Sequence, residues 1–131
     1  MDGVILIVEP ELPVRQPLAN YLRECGYKVF EAINTDEALI VLTAEEISVD
    51  IVMCDAHCSG EIDGFGLAQW VRGNAPDIQI LLAASVERVA EQAGTLCKDG
   101  PHLTKPYHHQ TLVDHIRQLL AQRDRTRASC Q

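Results

Sequence analysis

A chain of 131 residues with 47% hydrophobic side chains is long enough for one domain with a real core, and its charges are spread along its length, which argues against disorder. The formal net charge of −8 argues against binding DNA or RNA through phosphates, which needs a basic surface; it suits a partner with a basic face. No apolar run reaches membrane-spanning length, Met1-Asp2-Gly3 enters a strand with no signal-peptide pattern, and five cysteines in that context are read as free thiols in a reducing cytoplasm.

Val4 to Val8 is an aliphatic run that reads as a central strand, broken by Glu9-Pro10-Glu11-Leu12-Pro13. A helix follows with Leu18 and Leu22 one turn apart and Gly26 as its cap. Pro17 inside it predicts a late start or a distorted first turn. Residues 27–31 alternate and read as a second strand. Asn34 with Glu37 forms a capping pattern that opens a helix to about Thr43, with Leu39 and Leu42 or Thr43 inward. The third strand is predicted over residues 49–54. Asp63 then caps a helix in which Phe65, Leu67, Ala68 and Val71 repeat at helical spacing. A fourth strand is predicted over 78–83, a short weak helix over 86–93 closed by Gly94, and a short fifth strand over 101–103. The last helix is predicted over 108–121, with Leu112, Ile116, Leu119 and Leu120 inward, so that residues 1–121 form the domain and 122–131 a flexible polar tail. Strand and helix alternate throughout, which predicts a parallel sheet with helices on both faces.

Three strands end in residues suited to chemistry. The first ends in Glu9 and Glu11, the third in Asp55 and the fifth in Lys105-Pro106. In an open parallel sheet the carboxyl ends of the strands are where ligands bind, so these residues point to one site. Cys54, His57 and Cys58 do not have a common zinc spacing, and Cys54 reads as a small buried apolar residue. Cys25, Cys97 and Cys130 show no pairing logic. Trp70 reads as packing, and His108-His109 as the opening of the last helix.

Taken in order, Ile5-Leu6-Ile7-Val8-Glu9, Gly26-Tyr27-Lys28-Val29, Thr35-Asp36-Glu37-Ala38-Leu39, Asp50-Ile51-Val52-Met53-Cys54-Asp55, Asp63-Gly64 and Lys105-Pro106-Tyr107 resemble the receiver domain of bacterial two-component response regulators, in particular the single-domain, chemotaxis-regulator-like kind. The resemblance implies an α/β flavodoxin-like fold, a doubly wound five-stranded parallel sheet of order 2-1-3-4-5 with five helices. It also implies that Asp55 is a phosphoacceptor, receiving a phosphoryl group from a histidine kinase or phosphotransfer protein as an aspartyl phosphate. Positive charge for the phosphoryl oxygens would come from Mg²⁺ and from Lys105, aimed by Pro106. The implied metal ligands are Glu9, Asp55 and the backbone carbonyl of His57, with Glu11 a further acid.

This sequence departs from the family at three places. Pro10 stands where a ligand carboxylate is usual, so Mg²⁺ binding is expected to be weak. Ala84 stands where the family has a switch hydroxyl; Ser85 follows, but on alternation it faces the other way. His102 occupies the aromatic switch position. The expected role is a stand-alone cytoplasmic signalling domain and not an enzyme, with an unknown output protein docking on the helix 4–strand 5–helix 5 face, residues 86–121, and with no nucleic-acid or membrane partner. The alternative is a phosphorylation-independent pseudo-receiver that acts as a protein-binding module.

Overall fold

The computed structural model describes the backbone of residues 3–98 and 109–129, and the side chains of 3–98 and 110–126. The elements run β1 (Val4–Val8), α1 (Leu12–Glu24), β2 (Lys28–Ala32), α2 (Thr35–Thr43), β3 (Ile51–Asp55), α3 (Gly64–Asn74), β4 (Gln79–Ala83), α4 (Val86–Lys98) and α5 (His109–Ser129). The four described strands form one sheet of order β2-β1-β3-β4, every pair parallel. The order agrees with the expectation as far as it goes. The fifth strand expected at 101–103 lies outside the described residues, as do His102, Lys105 and Pro106.

The central strands are aliphatic because the sheet is covered twice. Ile5, Ile7 and Met53 face a layer built from α1, α4 and α5, where Leu18, Leu22 and Ile116 are fully buried. Leu6, Val8, Val52 and Cys54 face the opposite layer, under α2 and α3, with Leu67 and Val71. Each fully buried side chain of this size contributes about 1.5–3 kcal/mol. Trp70 packs on this second layer, as expected of it, whereas Phe65 is 60% exposed and takes no part in the core.

The helix signals form largely as read. The Asn34 side chain accepts from the Glu37 amide at 2.8 Å, and Asp63 accepts from the Gly66 amide at 2.7 Å. After α1, Gly26 adopts φ 98°, and its amide and that of Tyr27 donate to the carbonyls of Arg23 and Leu22, the paired hydrogen bonds of a left-handed helix cap.

Four expectations change. Helix α1 starts at Leu12, not late, with Pro13 in its first turn and Pro17 inside. The Val14 and Arg15 amides both bond the Glu11 carbonyl, so the first turn closes before Pro17 removes a donor. Helix α4 runs through Gly94 to Lys98, because Ala90, Ala93 and Cys97 continue a buried stripe against α1 and α5. Helix α5 continues past 121 to Ser129, so residues 122–129 are helical, and their three arginines favour helix. Finally, the five thiols are not all free. Cys25 at the end of α1 and Cys97 near the end of α4 form a disulfide, while Cys54 and Cys58 remain thiols. Their separation of 72 residues hid the pair from any local reading of the sequence.

Candidate functional site

Parallel register decides which residues meet at the carboxyl edge. Val8 pairs with Ala32 and Cys54, and Asp55 pairs with Ala83. The next residues out, Glu9 after β1 and Ala84 after β4, therefore stand beside Asp55. They line one cavity of about 310 Å³ together with Glu11, His57, Ser85 and Arg123.

Glu9 is the most constrained of these. Its side chain is buried, with 9% of the residue exposed. Burial, reinforced by the negative charge of Asp55 and a hydrogen bond to it, pushes the Glu9 carboxyl up to about 8; a hydrogen bond from the Glu11 amide pulls the other way. Asp55 is half-buried and accepts the His57 amide on Oδ1 at 2.9 Å. The Glu9 carbonyl receives Arg15 Nη1 at 2.8 Å, which fixes the turn that presents both Glu9 and Pro10. Pro10 itself is exposed and carries no donor or carboxylate.

Helix α3 begins against the backbone of Asp55. A Cβ at Gly64 would lie 2.7 Å from the Asp55 carbonyl oxygen, so only glycine permits this approach. On the far side, the fully buried Thr35 holds the loop after β3: its amide and Oγ1 both donate toward the Ser59 carbonyl, at 2.9 and 3.1 Å, and Oγ1 lies 2.6 Å from the Ile62 carbonyl. The thiols of Cys54, near the end of β3, and Cys58, in this loop, are both buried, with their sulfurs 3.2 Å apart. Their hydrogen bond, with burial, pushes the Cys54 thiol up, and the same bond lowers that of Cys58.

Ala84 and Ser85 both lie beyond the end of β4, so strand alternation does not separate them, and both reach the cavity. The Ser85 hydroxyl oxygen accepts the Arg88 amide at 3.2 Å and so caps α4. Arg123 was missed in the sequence. It pairs with Glu11 and with Asp124 and brings a cation from α5 to the acidic edge. The signal was available, because 112, 116, 119 and 123 continue one helical stripe. Among the described residues no group of three or more His, Cys, Asp or Glu side chains could hold a metal. The donors at hand are the two carboxyls of Glu9 and Asp55. An acid that burial and a neighbouring carboxyl keep protonated is a pair one cation short, and Mg²⁺ is commonly held by one or two carboxylates with waters completing its shell, so the residues fit a weak Mg²⁺ site.

A doubly wound sheet with paired acids at its carboxyl edge defines a class, and the sequence comparison gives its name. Residues 5–117 match the response regulator receiver domain family, and the chain belongs to it. It is 31% identical over 117 residues to the "Probable transcriptional regulator ycf27" of Cyanidium caldarium, covering 88% of this chain and 45% of that protein. It is 32% identical over 117 residues to the aerobic respiration control protein ArcA of Escherichia coli K12, covering 89% and 48%. The chain thus spans about half the length of the curated relatives it matches. Among solved structures it resembles the chemotaxis response regulator CheY4 of Vibrio cholerae, with a TM-score of 0.57, 24% identity, and 90% and 98% of the two chains covered. The protein is therefore a two-component response regulator receiver domain of flavodoxin-like fold. No helix among its described residues is long and apolar enough to cross a membrane.

Proposed function

We propose that Asp55 accepts a phosphoryl group from a histidine kinase or phosphotransfer protein, and that the domain passes the signal on by protein–protein contact. The observation that carries this reading is the position of Asp55, which ends β3 at the carboxyl edge and lines an open cavity beside Glu9 and Ser85. An Asp55 carboxylate oxygen would form a bond to phosphorus as the bond from phosphorus to the donor's imidazole nitrogen breaks, and the departing imidazole would retain the electron pair. Glu9 and Asp55 would hold Mg²⁺, with the His57 carbonyl adjacent, and the ion would supply positive charge to the phosphoryl oxygens. Lys105 is the second cation proposed for this role. Arg15 sets the Glu9 turn, and Thr35 and Gly64 keep the loop around Asp55 in place. The output surface is proposed to include α4 and α5, which pack together and share the Arg117–Glu87 ion pair.

A second reading is favoured by one specific observation. Glu9 holds its proton near neutral pH, and Pro10 offers no replacement carboxylate. A domain whose acid pair is satisfied by its own proton would act as a phosphorylation-independent binding module.

Intact mass after incubation with acetyl phosphate and Mg²⁺ separates the two. The first reading expects one phosphoryl added to the wild type and none to Asp55→Asn. An unmodified wild type, or an equal gain in Asp55→Asn, overturns it.

A further inference from the structure

Two buried thiols bracket the phosphoacceptor position, and neither has a task in the function proposed above. Cys54 is the last residue before Asp55 on β3, and Cys58 lies in the loop just beyond it; each is 2% exposed. Their sulfurs are 3.2 Å apart, and a disulfide bond is about 2.05 Å long. Closing the bond therefore requires a movement of about 1 Å. The loop is anchored at both ends. Thr35 pins Ser59 and Ile62, and the Ala83 carbonyl holds the Ala56 amide at 2.9 Å, so His57 and Cys58 between them must take up the change. These two residues bond Asp55 twice, through the His57 amide on Oδ1 at 2.9 Å and the Cys58 amide on the Asp55 carbonyl at 3.1 Å. A metal is the poorer explanation, since no third ligand joins the two sulfurs among the described residues.

We infer that Cys54 and Cys58 form a reversible disulfide, and that its formation shifts the His57 amide away from Asp55. The oxidant is a small disulfide of the glutathione class. When a transient opening of the loop exposes Cys58, its thiolate attacks the oxidant's disulfide; a mixed disulfide forms and one small thiol leaves. The sulfur of Cys54 then attacks Cys58, the mixed disulfide breaks, and the second small thiol leaves. Two protons and two electrons pass from the protein to the oxidant, which departs as two thiols. The bond closes a loop of a few residues beside the acid pair, and its consequence for phosphoryl acceptance rests on Asp55 being the acceptor.

The test equilibrates the full chain with mixtures of oxidised and reduced glutathione, quenches it in acid, alkylates free thiols after denaturation, and digests with trypsin. No Lys or Arg lies between Lys28 and Arg72, so Cys54 and Cys58 fall together in residues 29–72, whereas the Cys25–Cys97 disulfide joins residues 24–28 to 89–98. The expected result is a 29–72 peptide that escapes alkylation and is lighter by two hydrogens under oxidising mixtures. The His57 amide resonance should move with it in the wild type and stay in place in Cys58→Ser. Two alkylated cysteines in that peptide at every ratio, or a closed disulfide with an unmoved His57 amide, would overturn the inference. With acetyl phosphate as donor, the oxidised chain should be phosphorylated about tenfold more slowly than the reduced chain, the cost of one misplaced hydrogen bond to a charged group. Equal rates would overturn the control of Asp55. Absence of phosphorylation in both states would overturn the acceptor reading instead, while the peptide mass and the His57 amide would still decide the dithiol.

Discussion

At the residue scale, the site turns on the balance of charge between Glu9 and Asp55. Burial and the neighbouring carboxylate push Glu9 from 4.5 to about 8. Below pH 4.5 both the folded and the unfolded chain carry this proton. Between 4.5 and about 8 the unfolded chain releases it and the folded chain keeps it, so metal-free stability falls as pH rises through that window. The slope from this one group is at most about 1.4 kcal/mol per pH unit. Urea unfolding in EDTA from pH 5 to 8.5 should therefore show a decline in the wild type that is flatter in Glu9→Gln; parallel profiles would contradict the assignment. Mg²⁺ at the proposed Glu9–Asp55 site would bind only after that proton leaves, so its affinity should rise with pH over the same range. Ala84 poses a different question. A methyl group cannot bond a phosphoryl oxygen, and the Ser85 hydroxyl oxygen already accepts from the Arg88 amide. A hydrogen bond to a charged group contributes about 1.5–3 kcal/mol, as much as a typical coupling free energy. Amide shifts over residues 86–98 on adding beryllofluoride should be small in the wild type and larger in Ala84→Thr. Large cooperative shifts in the wild type would show that Ser85 donates its hydroxyl hydrogen in place of the missing group.

At the element scale, the loop after β3 is held by a side chain on another helix. Thr35, the first residue of α2, satisfies two carbonyls of that loop from a fully buried position. Thr35→Val keeps the shape and removes the hydroxyl, so the Ser59 carbonyl keeps the residue-35 amide while the Ile62 carbonyl loses the Thr35 hydroxyl. The expected cost is about 1–3 kcal/mol by urea unfolding, with faster exchange of the loop amides. An unchanged midpoint would mean that water replaces the hydroxyl. Much of this level was legible in the sequence, because caps and turns act over a few residues: Asn34 with Glu37, Asp63 with Gly66, and Gly26 each state their own geometry. Partners remote in sequence were not legible. Thr35 and Ile62 are 27 positions apart, and Arg123 and Glu11 are 112 apart. The full lengths of α4 and α5 were underestimated for another reason. Gly94 and the polar run after Ala121 look like stops until the packing stripe is followed across them.

At the scale of the molecule, one sheet separates two apolar layers, and the site forms where the register brings Glu9 level with Asp55 and Ala84 one position beyond it. The parallel sheet was legible from the alternation of strands and helices, and its order from the family resemblance, whereas the register and the Cys25–Cys97 bond are products of the finished layers. That bond ties α1 to α4 across 72 residues, and a loop of that length is worth about 4 kcal/mol by chain entropy. Reduction should lower the stability of the wild type by up to that amount and leave Cys25→Ser, already lacking the bond, unaffected; equal response in both would place the effect at Cys54 and Cys58. The central claim is that this edge of the sheet accepts a phosphoryl group on one residue. Borohydride trapping measures it most directly, since an aspartyl phosphate is reduced to homoserine at the residue that carried it. After treatment with acetyl phosphate and Mg²⁺, tryptic residues 29–72 should contain homoserine at position 55 and at no other. Homoserine at Asp50 or Asp63, or its absence from that peptide under conditions that phosphorylate another receiver domain, would contradict the account.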